Sequence, residues 1–306
     1  MADKVQSKST PLAAVIKTHG SLSNLIKIYM TAQVISSINM KGGVGKTALT
    51  VNLAASLAHN YNKRILVVDL DPQTNATFSL ITKDHWDKWI HSKLTLADLM
   101  SQSEEFNLSR KRPNIEDAII KNVGGNIKGL DLIPSHLRLT FIDIKLAIVS
   151  HREMILKKNL ESILNQYDYI LCDCPPNLSI STQNGLAASN YYIIPVFPEP
   201  LAALGLGLIN NKIKELNEYR TGAEIKSLGI VFTKYDLRIN ETELSASEIA
   251  EANSEEYIFR TKIPENVKVK SSVREAKPVI LSSPRSRSAI AYKELAKEFL
   301  DRIGKV

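Results

Sequence analysis

Two lysines, three glycines and a threonine fall within seven consecutive residues of this 306-residue chain. The run, Lys41–Thr47 (KGGVGKT), separates the apolar segment 34–39 from the helix-forming segment 48–58. Glycines allow backbone N–H groups to converge on an anion, and a helix that begins there adds positive potential. Lys46 can reach the β- and γ-phosphates of a nucleotide, and the Thr47 hydroxyl can bind Mg²⁺. The run therefore predicts a phosphate-binding loop between a strand and a helix.

The loop departs from the common phosphate-binding pattern at its start. Met40 stands five residues before Gly45, where a glycine is usual, and Lys41 is an additional lysine. This variant resembles the deviant Walker A loop of the ParA/MinD family of ATPases. The resemblance implies that Lys41 acts in catalysis by crossing a dimer interface to the phosphates of the partner's ATP. Besides the catalytic role of Lys46, we expect nucleotide contacts from Gly42, Gly43, Val44, Gly45, Lys46, Thr47 and Ala48.

Carboxylates follow two other apolar segments. Asp69 and Asp71 end one predicted strand, which stops at Pro72 because proline cannot donate to a sheet. Asp173 ends another strand, in the pattern DCPP. Strand-end carboxylates beside a phosphate loop suit Mg²⁺ binding and the positioning of water. The resemblance to switch I and switch II of the family assigns Asp71 to orienting the attacking water, a catalytic role. It assigns Asp69 to the outer shell of the metal and Asp173, with Thr47, to holding Mg²⁺.

The charge of the chain is unevenly distributed. The formal net charge is +7, and residues 260–306 carry twelve basic side chains against five acidic ones. Such a stretch favours a polyanionic partner, either nucleic acid or an anionic membrane. DNA binding of this kind is steeply salt-dependent, and the predicted contacts are Arg238, Lys268, Lys270 and Arg274. In the same region, segment 259–266 resembles the base-side loop of the family, which implies that Pro264 and Asn266 touch adenine.

The segments that position these residues alternate between strand and helix patterns. Strands are predicted at 34–39, 64–69, 130–134, 167–174, 192–196 and 228–233. Helices are predicted at 48–58, 94–99, 115–120, 140–166, 201–219 and 289–303. The alternation predicts an α/β fold of three layers, a mainly parallel twisted sheet with helices on both faces. The resemblance makes it a P-loop NTPase of the deviant Walker A type, and ligand sites in such sheets lie at the carboxyl ends of the strands.

The organisation of the chain follows from its less regular segments. Residues 1–30 are predicted to be an N-terminal extension that packs on the body or contacts a partner, and residues 31–306 to form the ATPase domain. Within that domain, residues 82–128 are predicted to be a variable helical insertion.

The two cysteines, Cys172 and Cys174, share one strand and form an incomplete ligand set for a metal. Because no apolar run reaches the roughly 18 residues of a membrane span, and the first residues lack a signal-peptide core, we expect a cytoplasmic protein.

The resemblance covers about residues 32–303 and is closest to partition ATPases of the ParA/Soj type. It implies that ATP and Mg²⁺ produce a homodimer, which binds DNA without sequence preference on the nucleoid. A ParB-like or other adaptor protein would stimulate hydrolysis, and the cargo would be a plasmid or a chromosome. No membrane partner is expected.

Three alternatives to a partition ATPase each require a particular feature of the sequence. A MinD-like positioning ATPase would place helix 289–303 on anionic lipid. A relative of nitrogenase iron protein would need cluster-binding cysteines outside the Walker B strand, which is the predicted strand 167–174 that contains Asp173. The chain has no cysteine outside that segment. A nucleotide-gated DNA-binding regulator would not need to hydrolyse ATP, but the intact Lys46 and Asp71 favour a working site.

Overall fold

The structure is a computed structural model. It describes residues 31–101, 113–199, 202–219, 223–236 and 238–306. The predicted extension, 1–30, lies outside the described residues, as do residues 102–112 of the predicted insertion. Every residue predicted to act in the site falls within the described ranges.

Six parallel strands form the centre of the molecule. They are β1 (Gln33–Ser37), β2 (Ile65–Asp69), β3 (Leu130–Ile133), β4 (Tyr169–Asp173), β5 (Tyr191–Val196) and β6 (Lys226–Phe232). Their order in the sheet is β3-β2-β4-β1-β5-β6, and all five pairings are parallel. All six predicted strands are confirmed. The register places Asp69 opposite Asp173 and Asp173 opposite Ser37, so the ends of β2, β4 and β1 meet at one edge.

Helices cover both faces of this sheet. They are α1 (Lys46–Tyr61), α2 (Asn75–Leu80), α3 (Lys83–Ile90), α4 (Leu96–Ser101), α5 (Ile142–Lys145), α6 (Ile155–Leu160), α7 (Ile180–Ala188), α8 (Ala202–Tyr219), α9 (Asn240–Ala252), α10 (Val267–Arg274), α11 (Val279–Ser282) and α12 (Arg287–Ile303). A short helical turn, Val123–Asn126, is interrupted by two glycines at positive φ.

Alternate strand residues face two separate hydrophobic cores. On β2, Leu66 and Val68 pack into the core under α4 to α9, whereas Ile65 and Val67 pack into the core under α1, α11 and α12. A strand buried on both faces is apolar throughout, which is why its sequence shows no alternation of polar residues. The predicted three-layer α/β fold is confirmed.

The predicted long helix over 140–166 is wrong. This segment contains the short helices α5 and α6 with single turns of 3-10 helix around them, and His151 has a φ of 53°. Two contacts hold the break. The Arg152 guanidinium donates to the carbonyl of Ala147, and Asn184 of α7 accepts from the N–H of Leu156 at 2.9 Å. These side-chain bonds occupy backbone groups that a continuous helix would pair internally.

The predicted helix over 115–120 is also wrong in its second half. A 3-10 helix occupies Ile115–Ala118, and Ile120 then forms an antiparallel bridge to Leu132 of β3. Pairing with the edge strand satisfies the Ile120 backbone in both directions, with N–O distances of 2.8 and 2.9 Å. Tertiary pairing therefore overrides the short helical pattern.

The last helix, α12, is packed against the body of the protein. Ser286 caps its N-terminus by accepting from the N–H of Ala289, and Tyr292, Leu295 and Phe299 are buried against α1. Glu298 on the same helix accepts hydrogen bonds from the backbone of Arg260 and Thr261, so α12 also fixes the chain that leads to α10. Among the described residues, no helix is long and apolar enough to cross a membrane.

Candidate active site

The KGGVGKT loop connects the end of β1 to the start of α1, as its sequence predicts. Gly43 and Gly45 adopt φ values of 74° and 90°, a region that side chains with a Cβ rarely occupy. The Val44 carbonyl accepts a 2.6 Å hydrogen bond from the hydroxyl of Thr233, which follows β6. The loop is thereby fastened to the next strand end while its glycines remain open to the solvent-filled cavity beside it.

Lys46 is the cation inside this loop. Its side chain is almost fully buried, and its ammonium donates to the carbonyl of Lys41 at 3.0 Å. Burial lowers the pKa of Lys46, and the nearby Asp173 and then Asp71 oppose that shift. A buried ammonium with a neutral carbonyl as its hydrogen-bond partner is well placed to accept an anion.

Asp173 and Thr47 form the next layer of the site. The Thr47 hydroxyl donates to one carboxylate oxygen of Asp173 at 2.7 Å, and the Thr50 hydroxyl donates to the other at 3.3 Å. Asp173 is fully buried, and burial, together with the proximity of Asp71, raises its pKa.

Asp69 lies beside Asp173 but faces α2. Its carboxylate accepts from the N–H and the hydroxyl of Thr77, at 2.8 and 2.7 Å, and from the N–H of Asp71 at 3.2 Å. Burial and repulsion by Asp173 raise the pKa of Asp69. Asp69 does not line the cavity, and its role at a metal stays a prediction.

These groups fit a magnesium ion. Two buried carboxylates that repel each other leave a local excess of negative charge, which a divalent cation would relieve. The Thr47 hydroxyl and an Asp173 oxygen already lie 2.7 Å apart, and both atom types are ligands that Mg²⁺ accepts. The described residues contain no group of three or more His, Cys, Asp or Glu side chains that could hold a metal alone. Mg²⁺ takes several ligands from phosphate and water, so such a cage is not required.

Asp71 is held at the edge of the same cavity. Its carboxylate accepts from the N–H of Gln73 at 2.9 Å, and its backbone carbonyl accepts from the Ser135 hydroxyl at 2.6 Å. The side chain is 8% exposed, and it lines the cavity. A nearly buried carboxylate facing the phosphate loop can orient a water molecule.

The cavity that these elements enclose has a volume of about 400 Å³. The predicted residues that line it are Gly42, Gly43, Gly45, Lys46, Thr47, Ala48 and Asp71. The predicted base contacts, Pro264 and Asn266, lie outside this lining. Asn266 instead caps α10 by accepting from the N–H of Lys268 at 2.9 Å, and the Pro264 carbonyl accepts from Ser288 at 3.4 Å. Their contacts with adenine stay predictions.

Lys41 points away from this cavity. Its side chain is 54% exposed, and its ammonium pairs with Glu199, which follows β5. Within one chain the two lysines of the loop therefore face different groups. Lys46 faces the phosphate cradle, and Lys41 faces the half-buried carboxylate of Glu199. That Lys41 reaches a partner's nucleotide stays a prediction.

The predicted DNA contacts are not equivalent. Arg238 is bound by Asp236 through an ion pair of 2.6 Å, and Lys270 lies 3.6 Å from Glu265. Among the described residues, Lys268 and Arg274 have no ion-pair partner within 4.0 Å. Lys270 is also distinct because it lines the cavity, as do Val269, Ser272, Val273 and Pro278, which the sequence analysis did not single out. The helical spacing within VKVKSSVR is the signal that could have identified them.

The chain has extensive similarity to known proteins. A family model described as an AAA domain matches residues 32–227. The sporulation initiation inhibitor protein Soj of Bacillus subtilis is 35% identical over 271 residues, covering 87% of this chain and 97% of that protein. The chromosome-partitioning ATPase Soj of Treponema pallidum is 33% identical over 270 residues, covering 87% of this chain and 96% of that protein.

A solved structure resembles the fold over nearly its whole length. It is cobyrinic acid a,c-diamide synthase from Mycobacterium smegmatis with a bound ATP analogue and magnesium. The TM-score is 0.72 at 27% identity, with 90% of this chain and 96% of that chain covered. The sheet order, the phosphate loop and these sequence matches agree, and the chain belongs to the ParA family of P-loop ATPases, within the ParA/MinD group.

Proposed function

We propose that this protein is a partition ATPase with ATP and Mg²⁺ as its ligands. In this proposal, ATP binding produces a homodimer that binds duplex DNA without sequence preference and so positions or segregates a plasmid or a chromosome on the nucleoid. A ParB-like or other adaptor stimulates hydrolysis. One observation carries the proposal: Lys46, Thr47 and Asp71 line one cavity at the carboxyl ends of the strands, and Thr47 donates a hydrogen bond to the buried Asp173 behind it.

Each group has a defined task in hydrolysis. Lys46 neutralises the β- and γ-phosphates from inside the loop, and the loop N–H groups bind phosphate oxygens. Thr47 and Asp173 would hold Mg²⁺, which supplies positive charge to the developing phosphoryl oxygens. Asp71 orients the attacking water and accepts its proton.

The dimer completes the site. Among the described residues that line the cavity there is no arginine, so a single chain has no arginine finger there to accelerate phosphoryl transfer. Lys41 supplies an additional cation across the interface after it leaves Glu199. Hydrolysis is therefore slow in the isolated protein, and a basic segment of the adaptor adds to the stimulation.

The exposed basic residues support DNA, and not a membrane, as the polyanionic partner. Tyr292, Leu295 and Phe299 of α12 are buried, which leaves little of its apolar face beyond the 48% exposed Ile290 to insert into lipid. Lys268 and Arg274 are exposed cations on α10, close to the nucleotide cavity. Exposed cations bind the phosphates of DNA through release of counterions.

Sedimentation velocity of the full chain tests this proposal. We expect a monomer without nucleotide and with ADP, and a dimer with ATP and Mg²⁺ when hydrolysis is blocked by Asp71→Ala. A chain that stays monomeric with ATP and Mg²⁺ while binding ATP tightly would contradict the proposed dimer.

A further inference from the structure

Helix α10 lies across the nucleotide cavity with two different faces. At 100° per residue, positions 269, 270, 272 and 273 fall within one arc of about 160°, and positions 267, 268, 271 and 274 fall on the opposite side. All four residues of the first set line the cavity, and none of the second set does. The sequence pattern and the cavity lining therefore agree on which side of α10 faces the nucleotide.

Lys270 is the cation on the cavity side. Its side chain is 73% exposed and is engaged by Glu265 at 3.6 Å, where Glu265 is also more than half exposed. An exposed ion pair of this kind contributes little free energy, since both charges are well hydrated. Lys270 can therefore exchange Glu265 for a more strongly charged ligand in the cavity at low cost.

We infer that Lys270 binds the nucleotide, with its ammonium on the anionic phosphate chain, and is not primarily a DNA contact. The inference rests on the proposed function, because it concerns the same ATP site. Lys46 approaches the phosphates from the loop, which is a different part of the cavity lining from α10. Lys270 closes the site from the α10 side, where Val269 and Val273 add apolar contact.

Helix α10 has the nucleotide cavity on one side and the predicted DNA surface on the other. The same eight-residue helix presents Lys268 and Arg274 on its other face. At its far end it is joined through Pro278 to Val279, whose N–H donates to Asn52 of α1 at 2.8 Å. Lys270 and the cations Lys268 and Arg274 are thus separated by function on one helix, the first facing the nucleotide and the other two facing away from it.

The test compares two lysine variants of the full chain with the wild type. Lys297→Ala is the matched control, because Lys297 is an exposed lysine on α12 that does not line the cavity. The affinity for a fluorescent ATP analogue with Mg²⁺ is measured for the wild type, Lys270→Ala and Lys297→Ala. We expect Lys270→Ala to raise the dissociation constant about tenfold, as for the loss of one charge-assisted contact, and Lys297→Ala to leave it unchanged.

The salt dependence of DNA binding at saturating ATP provides the second readout. Lys268→Ala should reduce the slope of log affinity against log salt by about 1, whereas Lys270→Ala should leave it at the wild-type value. An unchanged ATP affinity in Lys270→Ala, with a reduced slope, would overturn the inference and return Lys270 to the DNA surface. If the wild type itself does not bind ATP, the proposed function fails and the inference falls with it, and that result is distinguished by the wild-type titration alone.

Discussion

The phosphate edge of the sheet and the basic surface of α10 differ in how their charges are held. At the edge, Lys46, Asp69 and Asp173 are buried, and each makes hydrogen bonds of 3.0 Å or less to the protein. On α10, Lys268 and Arg274 are exposed. A buried charge is costly unless its specific partners are present, so another residue cannot easily replace it. An exposed charge contributes mainly to the summed field, so its role is shared with other cations.

The two lysines of the phosphate loop show the same contrast over five residues. Lys46 is buried and Lys41 is 54% exposed. In the proposed function, Lys46 serves the nucleotide of its own chain, and Lys41 leaves Glu199 for a group outside the chain. Substitutions at the phosphate edge should therefore abolish ATP binding or hydrolysis. Each substitution on the surface of α10 should only reduce the affinity for DNA, by the share of one cation.

Lys46→Ala should have the largest effect. Loss of the buried ammonium removes the main cation of the phosphate cradle, and we expect the dissociation constant for ATP to rise at least about 100-fold, or ~2.7 kcal/mol. Isothermal titration with ATP and Mg²⁺ measures it. The thermal midpoint without nucleotide is the control for folding, and a well-folded variant that binds ATP as the wild type does would remove Lys46 from the site.

Asp71→Ala should separate binding from turnover. The Asp71 carboxylate accepts from Gln73 and not from the N–H groups of the phosphate loop. ATP binding and ATP-dependent DNA binding should therefore persist while hydrolysis falls by about 1,000-fold. Single-turnover release of phosphate measures the rate. Asp71→Asn keeps the size of the side chain and should be equally slow. Hydrolysis at the wild-type rate in either variant is incompatible with the assigned role.

Lys41→Ala should weaken the dimer without weakening ATP binding by the single chain. Because Lys41 does not line the cavity, the expected change is a rise of about tenfold in the dimer dissociation constant, as for one interfacial charged contact. A concentration series in sedimentation velocity with ATP and Mg²⁺ measures it. Dimerisation and turnover like those of the wild type would exclude the action of Lys41 across the interface.

The smallest effects should come from substitution of single basic residues on the surface. The loss of DNA affinity should be smaller for a residue that is already paired with a carboxylate. Arg274→Ala should lower DNA affinity several-fold and reduce the salt slope by about 1. Arg238→Ala should change both by less, because Asp236 already neutralises Arg238 in an ion pair of 2.6 Å. Binding of both variants to one labelled duplex over a salt series gives the ranking, and the reverse order would show that the Arg238–Asp236 pair opens on DNA.

The sequence predicted the sheet and the phosphate edge well for a physical reason. Strands such as Ile65–Asp69 are continuous apolar runs, and the glycine-rich loop imposes its own backbone geometry. The chemistry at this edge depends on residues that are close along the chain or end adjacent strands. Parallel pairing alone is enough to bring Lys46, Thr47 and Asp71 to one cavity, with Asp173 hydrogen-bonded to Thr47.

The features that the sequence did not predict depend on contacts between segments that are distant along the chain. The break between α5 and α6 is held by Asn184, which lies 28 residues beyond its partner Leu156. The α10 side of the cavity depends on where that helix packs against α2, which charge alone does not reveal. Lys270 was accordingly assigned by its charge and not by its position on the helix.

In the proposed function the nucleotide state controls DNA binding, and a titration of the full chain onto duplex DNA tests this control. The full chain is titrated onto labelled duplex of arbitrary sequence with ATP and Mg²⁺, with ADP, and without nucleotide, over a salt series, alongside flotation with anionic liposomes. We predict DNA binding with ATP and Mg²⁺ alone, with an affinity that falls steeply as salt rises, and no association with liposomes. DNA binding that is equal in all three nucleotide states, or binding to liposomes alone, would contradict control by the nucleotide state.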